Sequence, residues 1–242
     1  MQLAPISASS HLAALQSLPT LSSQPLYAEM HTTLTSQQAA VDAAAAGFIS
    51  AHGQRADGAY QNFMLHQLTG PPASDAPELA KMHELQNSRT AADSATATYY
   101  DKSGDSGLWQ GLLSDWQHTV SSSDASRGAR MLSDAFHLAD QVTGQAKHTY
   151  DRTRPFAQDS SLKPILVAPV NNHGSYPSQH VTNAFAAAAV LSTLMPTRAD
   201  EFERVAEQVA FSRVYSNVHF PSDAAAGAQV GRLAADYAIK FD

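Results

Sequence analysis

Three short runs in the C-terminal hundred residues collect side chains suited to handling an anion. The first is Lys147-His148-Thr149-Tyr150-Asp151-Arg152-Thr153-Arg154-Pro155. If a helix runs from 125 to 153, Lys147 and Arg154 stand two turns apart on one face, with Pro155 stopping the helix beyond them. Two cations would then meet at a helix end; compensation of the helix dipole explains the same residues without any ligand. The second run, Gly174-Ser175-Tyr176-Pro177-Ser178-Gln179-His180, precedes an apolar helical stretch. A serine there reads first as an N-cap, yet the free N–H groups of a helix start also suit an oxyanion. The third run is Ser212-Arg213-Val214-Tyr215-Ser216-Asn217-Val218-His219-Phe220-Pro221-Ser222-Asp223. In a tight turn, Asp223 can reach His219, fix its tautomer and leave the other ring nitrogen as base or nucleophile. A structural His–Asp pair and a pair of metal ligands are competing readings; no HExxH, cysteine or carboxylate cluster supplies further ligands nearby.

These groups need a frame, and the pattern of the chain is helical. Segments 26–49, 76–99, 125–150, 181–195, 199–215 and 221–239 carry apolar residues at helical spacing, and hairpin signals are scarce. The breaks fall at Gly70-Pro71-Pro72, Ser103-Gly104-Asp105-Ser106-Gly107, Ser121-Ser122-Ser123-Asp124 and the long connection 155–177. The serines before Ala125 read as an N-cap. The expectation is an all-α, single-domain helical bundle spanning 1–242, with residues 1–25 loosely attached and the active site at helix ends in the C-terminal half.

Composition narrows the function. Of 242 residues, 43% are hydrophobic and 15% charged, the balance of a packed globular chain. The net charge of −7 argues against nonspecific nucleic-acid binding. With no cysteine, disulfides, thiol catalysis and thiolate metal sites are excluded. The longest apolar stretch, Phe185 to Met195, is too short for a spanning helix, so no membrane insertion is expected. The start, Met1-Gln2-Leu3-Ala4-Pro5, shows no secretory signal. The apolar N-terminal helices offer a surface on which a second copy could pack as a homo-oligomer.

Taken together, the runs look like the signature K-x6-RP, PSGH and SR-x5-H-x3-D, with Pro177-Ser178-Gln179-His180 at the second. The chain thereby resembles the superfamily of type 2 phosphatidic acid phosphatases and vanadium haloperoxidases. It is most similar to the bacterial class A non-specific acid phosphatases, through Lys147-x-x-Tyr150-x-Arg152-x-Arg154-Pro155-Phe156 and Gly174-Ser175-Tyr176-Pro177-Ser178 leading to His180. The resemblance is strong over about 147–232 and weak before it. One departure stands out: Gln179 replaces the family's glycine, keeping the N–H while adding bulk beside the pocket.

The resemblance implies a metal-independent acid phosphatase acting on small-molecule phosphomonoesters, in a periplasmic or secreted setting. Lys147, Arg154 and Arg213 would hold the phosphate with Ser178 and the Gln179 amide. His219 would attack phosphorus, Asp223 would orient it, and His180 would protonate the leaving group. Arg152 is expected to pair with a carboxylate at the pocket edge. No cofactor is implied, and vanadate would inhibit. In the alternative reading of a vanadium-dependent haloperoxidase, vanadate would be the cofactor; a non-catalytic phosphate-binding protein is the other alternative. Substrate choice would sit in segments such as 100–124 and 157–173.

Overall fold

The computed structural model describes residues 11–104 and 106–242. The described residues are all-α, with no strand among them. After a one-turn α1 (His11–Ala14) and a 3-10 turn (Leu15–Ser17) come α2 (Pro25–His52), α3 (Asp57–Gln67), α4 (Ala76–Asn87), α5 (Ala91–Ser103) and α6 (Gly107–Gln117). The C-terminal half holds α7 (Ser122–Tyr150), a four-residue α8 (Pro155–Gln158), α9 (Gln179–Leu194), a 3-10 turn (Pro196–Arg198), α10 (Ala199–Tyr215) and α11 (Pro221–Phe241).

The centre of the bundle is α9, which packs on α7, α10 and α11. Its sequence explains that place: Val181, Ala184, Phe185, Ala186, Ala187, Ala188, Val190 and Leu191 are buried, so the helix is apolar on nearly every face. Small residues let α11 come very close. A Cβ added at Gly231 would lie 2.3 Å from the Thr182 carbonyl oxygen, and one at Gly227 would lie 2.7 Å from that of Ser178. The backbone at the start of α9 is therefore pressed against the first turns of α11. The long α7 is amphipathic instead, burying Met131, Leu132, Ala135, Leu138, Ala139, Val142 and Ala146 at helical spacing.

Four expectations about the frame change. The helix expected over 76–99 is two, because Thr90 accepts the Asp93 N–H at 3.1 Å and opens a new helix start. Residues 57–67 and 107–117 are helical although neither was expected to be. Of the segment 1–25, residues 1–10 lie outside the described residues. The rest is fastened: Leu15 and Leu21 are fully buried, and the Leu12 and Leu21 N–H groups donate to Asp115 and Gln208. Finally, α7 stops at Tyr150, where Asp151 takes a left-handed conformation (φ 38°), and Pro155 opens α8 rather than closing α7.

Candidate active site

Three chain breaks at helix ends converge around one space, beginning with the turn after α7. Lys147 lies in the last turn of α7 and donates to the Gly174 carbonyl. Arg154 does not share its helical face, since Arg154 sits beyond the turn at Asp151 as the N-cap of α8. The two cations come near each other only because the chain leaves the helix at Asp151. Arg154 is held by backbone oxygens, its Nε donating to Asn171 at 3.0 Å and its Nη1 to Val218 at 2.8 Å. Arg213, in the last turn of α10, is buried and paired with Asp101 of α5. Burial and neighbouring positive charge push the Lys147 ammonium down to about 8 and lower the Arg154 guanidinium as well.

His219 stands just before α11 and is buried. Its Nδ1 lies 2.8 Å from the Ser175 carbonyl oxygen, which accepts a proton only from an Nδ1–H tautomer. The lone pair of Nε2 is thereby free to accept from Arg154 Nη1 at 3.0 Å. Burial first, then Arg154, Lys147, Arg213 and His180, hold the ring well below the ordinary imidazole range, so it stays neutral. A neutral ring whose unprotonated nitrogen points among cations has a lone pair to offer there and no proton to give.

Asp223 acts less directly than expected. Its carboxylate is 3.5 Å from His219 Nδ1, and the nearer partner of that nitrogen is the Ser175 carbonyl. The carboxylate is occupied: Oδ1 accepts from Arg152 at 2.5 Å, while Oδ2 accepts from the Ser175 hydroxyl at 2.5 Å and from the Phe220 N–H at 2.8 Å. Asp223 thus fixes Ser175 and the start of α11, which in turn fix the ring. Arg152 is no ligand of the space. It pairs with Asp75, Glu78 and Asp223, donates to Ser222 and lies over the Phe220 ring at 3.9 Å.

Ser178 occupies the N-cap position of α9, but its hydroxyl makes no capping bond. Its Oγ is buried without a hydrogen-bond partner, whereas Ser121 at the same position of α7 does accept the Asp124 N–H. The Ser178 N–H donates to the Asp223 carbonyl at 3.0 Å, tying the start of α9 to α11. Gln179 follows as the first residue of α9, and its side-chain amide donates to Asp140 at 2.6 Å and Asn183 at 3.0 Å. The extra bulk is laid against α7 and along α9. His180, on the first turn of α9, has its Nε2 4.0 Å from Asp101 and remains partly exposed.

Lys147, Arg154, Arg213, His180 and His219 are thus brought around one space, with Asp223 behind His219 and Ser178 at the adjoining start of α9. Asp101, Glu78, Asp75 and the Ser175 carbonyl were not expected. Ser175 lay inside a quoted motif; the three acids belong to α5, α4 and the residue before α4, with no local signal to link them to the C-terminal runs. Among the described residues, no group of three His, Asp or Glu side chains converges to hold a metal ion.

Residues 132–241, which contain all three runs, match the PAP2 superfamily model. Over this stretch, less than half of the chain, the protein is similar to that superfamily. Over 94 residues, 38% of each chain, the sequence is 40% identical to a non-specific acid phosphatase of Salmonella typhimurium. Identity is 35% over 95 residues to a non-specific acid phosphatase of Providencia stuartii, 38% of this chain and 37% of the other. The aligned part spans little more than a third of these curated relatives. Two solved structures share the helical fold. Aquifex aeolicus LpxE has a TM-score of 0.57 at 22% identity, covering 68% of this chain and 95% of that one. A transmembrane PAP2 type phosphatidylglycerolphosphate phosphatase from Bacillus subtilis has a TM-score of 0.51 at 19% identity, covering 76% and 92%. In the present chain, no described helix is long and apolar enough to cross a membrane.

Proposed function

We propose that this protein is an acid phosphatase that hydrolyses small phosphomonoesters in solution through a phosphohistidine. The observation that carries the reading is His219, a neutral buried imidazole whose Nε2 accepts from Arg154 among three cations. Lys147, Arg154 and Arg213 would neutralise the phosphoryl oxygens, work that a divalent ion does in other phosphatases. The arginines add forked donors matched to a tetrahedral anion. The Ser178 hydroxyl and the Gln179 N–H at the start of α9 would complete the cradle.

In the first step the Nε2 lone pair forms a bond to phosphorus while the bond from phosphorus to the ester oxygen breaks. The proton on His180 passes to the departing oxygen, releasing an alcohol. In the second step His180 takes a proton from water, the oxygen of that water bonds to phosphorus, and the P–N bond breaks to give inorganic phosphate. The Ser175 carbonyl keeps the His219 Nδ1 proton in place throughout, with Asp223 close by to offset the positive charge that develops on the ring.

The decisive experiment compares two variants on two esters. His219→Ala abolishes turnover of p-nitrophenyl phosphate and of an alkyl phosphate, and removes the trapped phosphoenzyme. His180→Ala costs kcat/KM far more on the alkyl ester, whose leaving group needs the proton; general acid help is worth roughly 10²–10⁴-fold. Equal losses on both esters, with phosphoenzyme still formed by His219→Ala, would overturn the assignment. Activity is expected to survive EDTA and to be inhibited by vanadate. Halogenation with vanadate, peroxide and bromide in the absence of ester hydrolysis would establish the haloperoxidase reading instead.

A further inference from the structure

The three cradle cations are not balanced in the same way. Lys147 and Arg154 donate to backbone carbonyls, which carry no net charge. Arg213 is paired with a carboxylate, Asp101, from the last turn of α5. The Asp101 side chain is only 10% exposed and both of its oxygens are placed: Oδ1 is on Arg213 and 4.0 Å from His180 Nε2, and Oδ2 accepts the Val167 N–H at 2.9 Å. A fixed negative charge therefore stands on the rim of a space that the proposed function fills with phosphate.

A phosphate monoester loses its second proton near pH 6, so two forms compete for the cradle around neutrality. The dianion brings a second negative charge toward Asp101 and is repelled. The monoanion brings less charge, and its P–O–H can donate to the carboxylate. We propose that Asp101 is a specificity-determining residue that favours the monoanionic phosphate group over the dianion. The inference rests on the cradle being a phosphate site, but not on turnover.

The test is calorimetric binding of inorganic phosphate and of sulfate, from pH 5 to pH 8.5, to the wild type and to Asp101→Asn. The substitution removes the charge and keeps an oxygen for the Val167 N–H. Lys147 of α7, Arg154 before α8, His180 of α9, Arg213 of α10 and His219 before α11 face the same space in both proteins, and any change that the substitution makes in their titration enters the sulfate ratio as well as the phosphate ratio, so the difference between the two anions isolates the second phosphate proton. Sulfate has no proton to lose in this range and is expected to bind the variant about three- to tenfold more tightly at every pH, the scale of one unit charge removed some ångströms away at a water-like dielectric. Phosphate is expected to show near parity at pH 5 and the same gain only after its second proton is lost. Asp101→Ser, which also removes the charge, reproduces the pattern if charge is the cause. A phosphate ratio constant with pH, or weaker binding of both anions in both variants, overturns the proposal and leaves Asp101 as a support for Arg213. A wild type that binds neither anion removes the phosphate-site reading itself.

Discussion

Ser178→Ala separates a binding role from a structural one, because the two predict opposite changes in stability. The Ser178 Oγ is buried with no partner, so the folded protein bears the desolvation cost of a hydroxyl and receives no bond in return. Such a cost is about 1–3 kcal/mol, and deleting the oxygen should recover part of it, about 1 kcal/mol. For a chain of this length that corresponds to a rise in Tm of about 2–4 °C. A hydrogen bond to a charged phosphoryl oxygen contributes about 1.5–3 kcal/mol, so kcat/KM should fall roughly 10- to 100-fold. The stabilisation conferred by added phosphate should shrink in parallel, since it follows affinity. Scanning calorimetry with and without phosphate, and initial rates on p-nitrophenyl phosphate, measure all three. Ser121→Ala is the internal control: its hydroxyl does cap α7, and losing it should lower stability by about 1 kcal/mol with activity intact. A lower Tm for Ser178→Ala with unchanged kcat/KM would make that hydroxyl an ordinary cap and refute the reasoning.

Other perturbations read different parts of the site. Arg152→Met strands Asp75, Glu78 and Asp223 together, and should cost about 3–5 kcal/mol in denaturant unfolding and most of the activity; a neutral effect would mean that the acids are adequately solvated without it. His219 is held neutral in the fold while an unfolded histidine protonates near 6.5, so its contribution to stability is complete above that pH and is lost as pH falls below it. Unfolding curves from pH 7 to 4 should be less pH-dependent in His219→Gln. Lys147 has the same sign in a higher window: the folded chain releases its proton near 8 and the unfolded chain near 10.5, so stability rises with pH between those values while kcat/KM falls above about 8. Lys147→Met should remove both slopes; an alkaline limb that persists belongs to another group. Gln179→Gly should leave the relative kcat/KM of bulky and small esters unchanged, because the side chain is fastened to Asp140 and Asn183; a changed ranking would place it over the phosphate.

The parts of this molecule that were legible in its sequence are those encoded locally. Helical periodicity located α7, α9, α10 and α11 to within a few residues, since each must bury a continuous face whose spacing is written along the chain. The Leu108, Trp109, Leu112, Leu113 and Trp116 face of α6 carried the same signal, but it lies in a short segment bounded by glycine and serine. The cations, His180 and His219 sit in short runs of unusual composition and could be named. What composition cannot convey is which groups a turn brings back upon them. Lys147 and Arg154 were placed on one helical face, and they come near each other instead because Asp151 ends α7 and the residues after it leave the helix.

The unforeseen groups are all counter-charges or carbonyls, and that pattern has a physical cause. A cradle for an anion concentrates positive charge inside a low-dielectric bundle, and buried charge persists only when it is paired or hydrogen-bonded. Partners for that purpose need charge and reach but no shared motif, so they can come from any element packed nearby: Asp101 from α5, Glu78 from α4, and the carbonyls of Asn171, Gly174, Ser175 and Val218 from the turns. The choice among them is still consequential. A carbonyl balances a cation with a dipole that leaves the net charge of the space unaltered, whereas Asp101 subtracts a full unit from it. Lys147 and Arg154, held by carbonyls, keep their charge available to an entering anion; Arg213 has already shared its own. The preference of the cradle among phosphate protonation states is thus set by Asp101, a residue outside the three motifs.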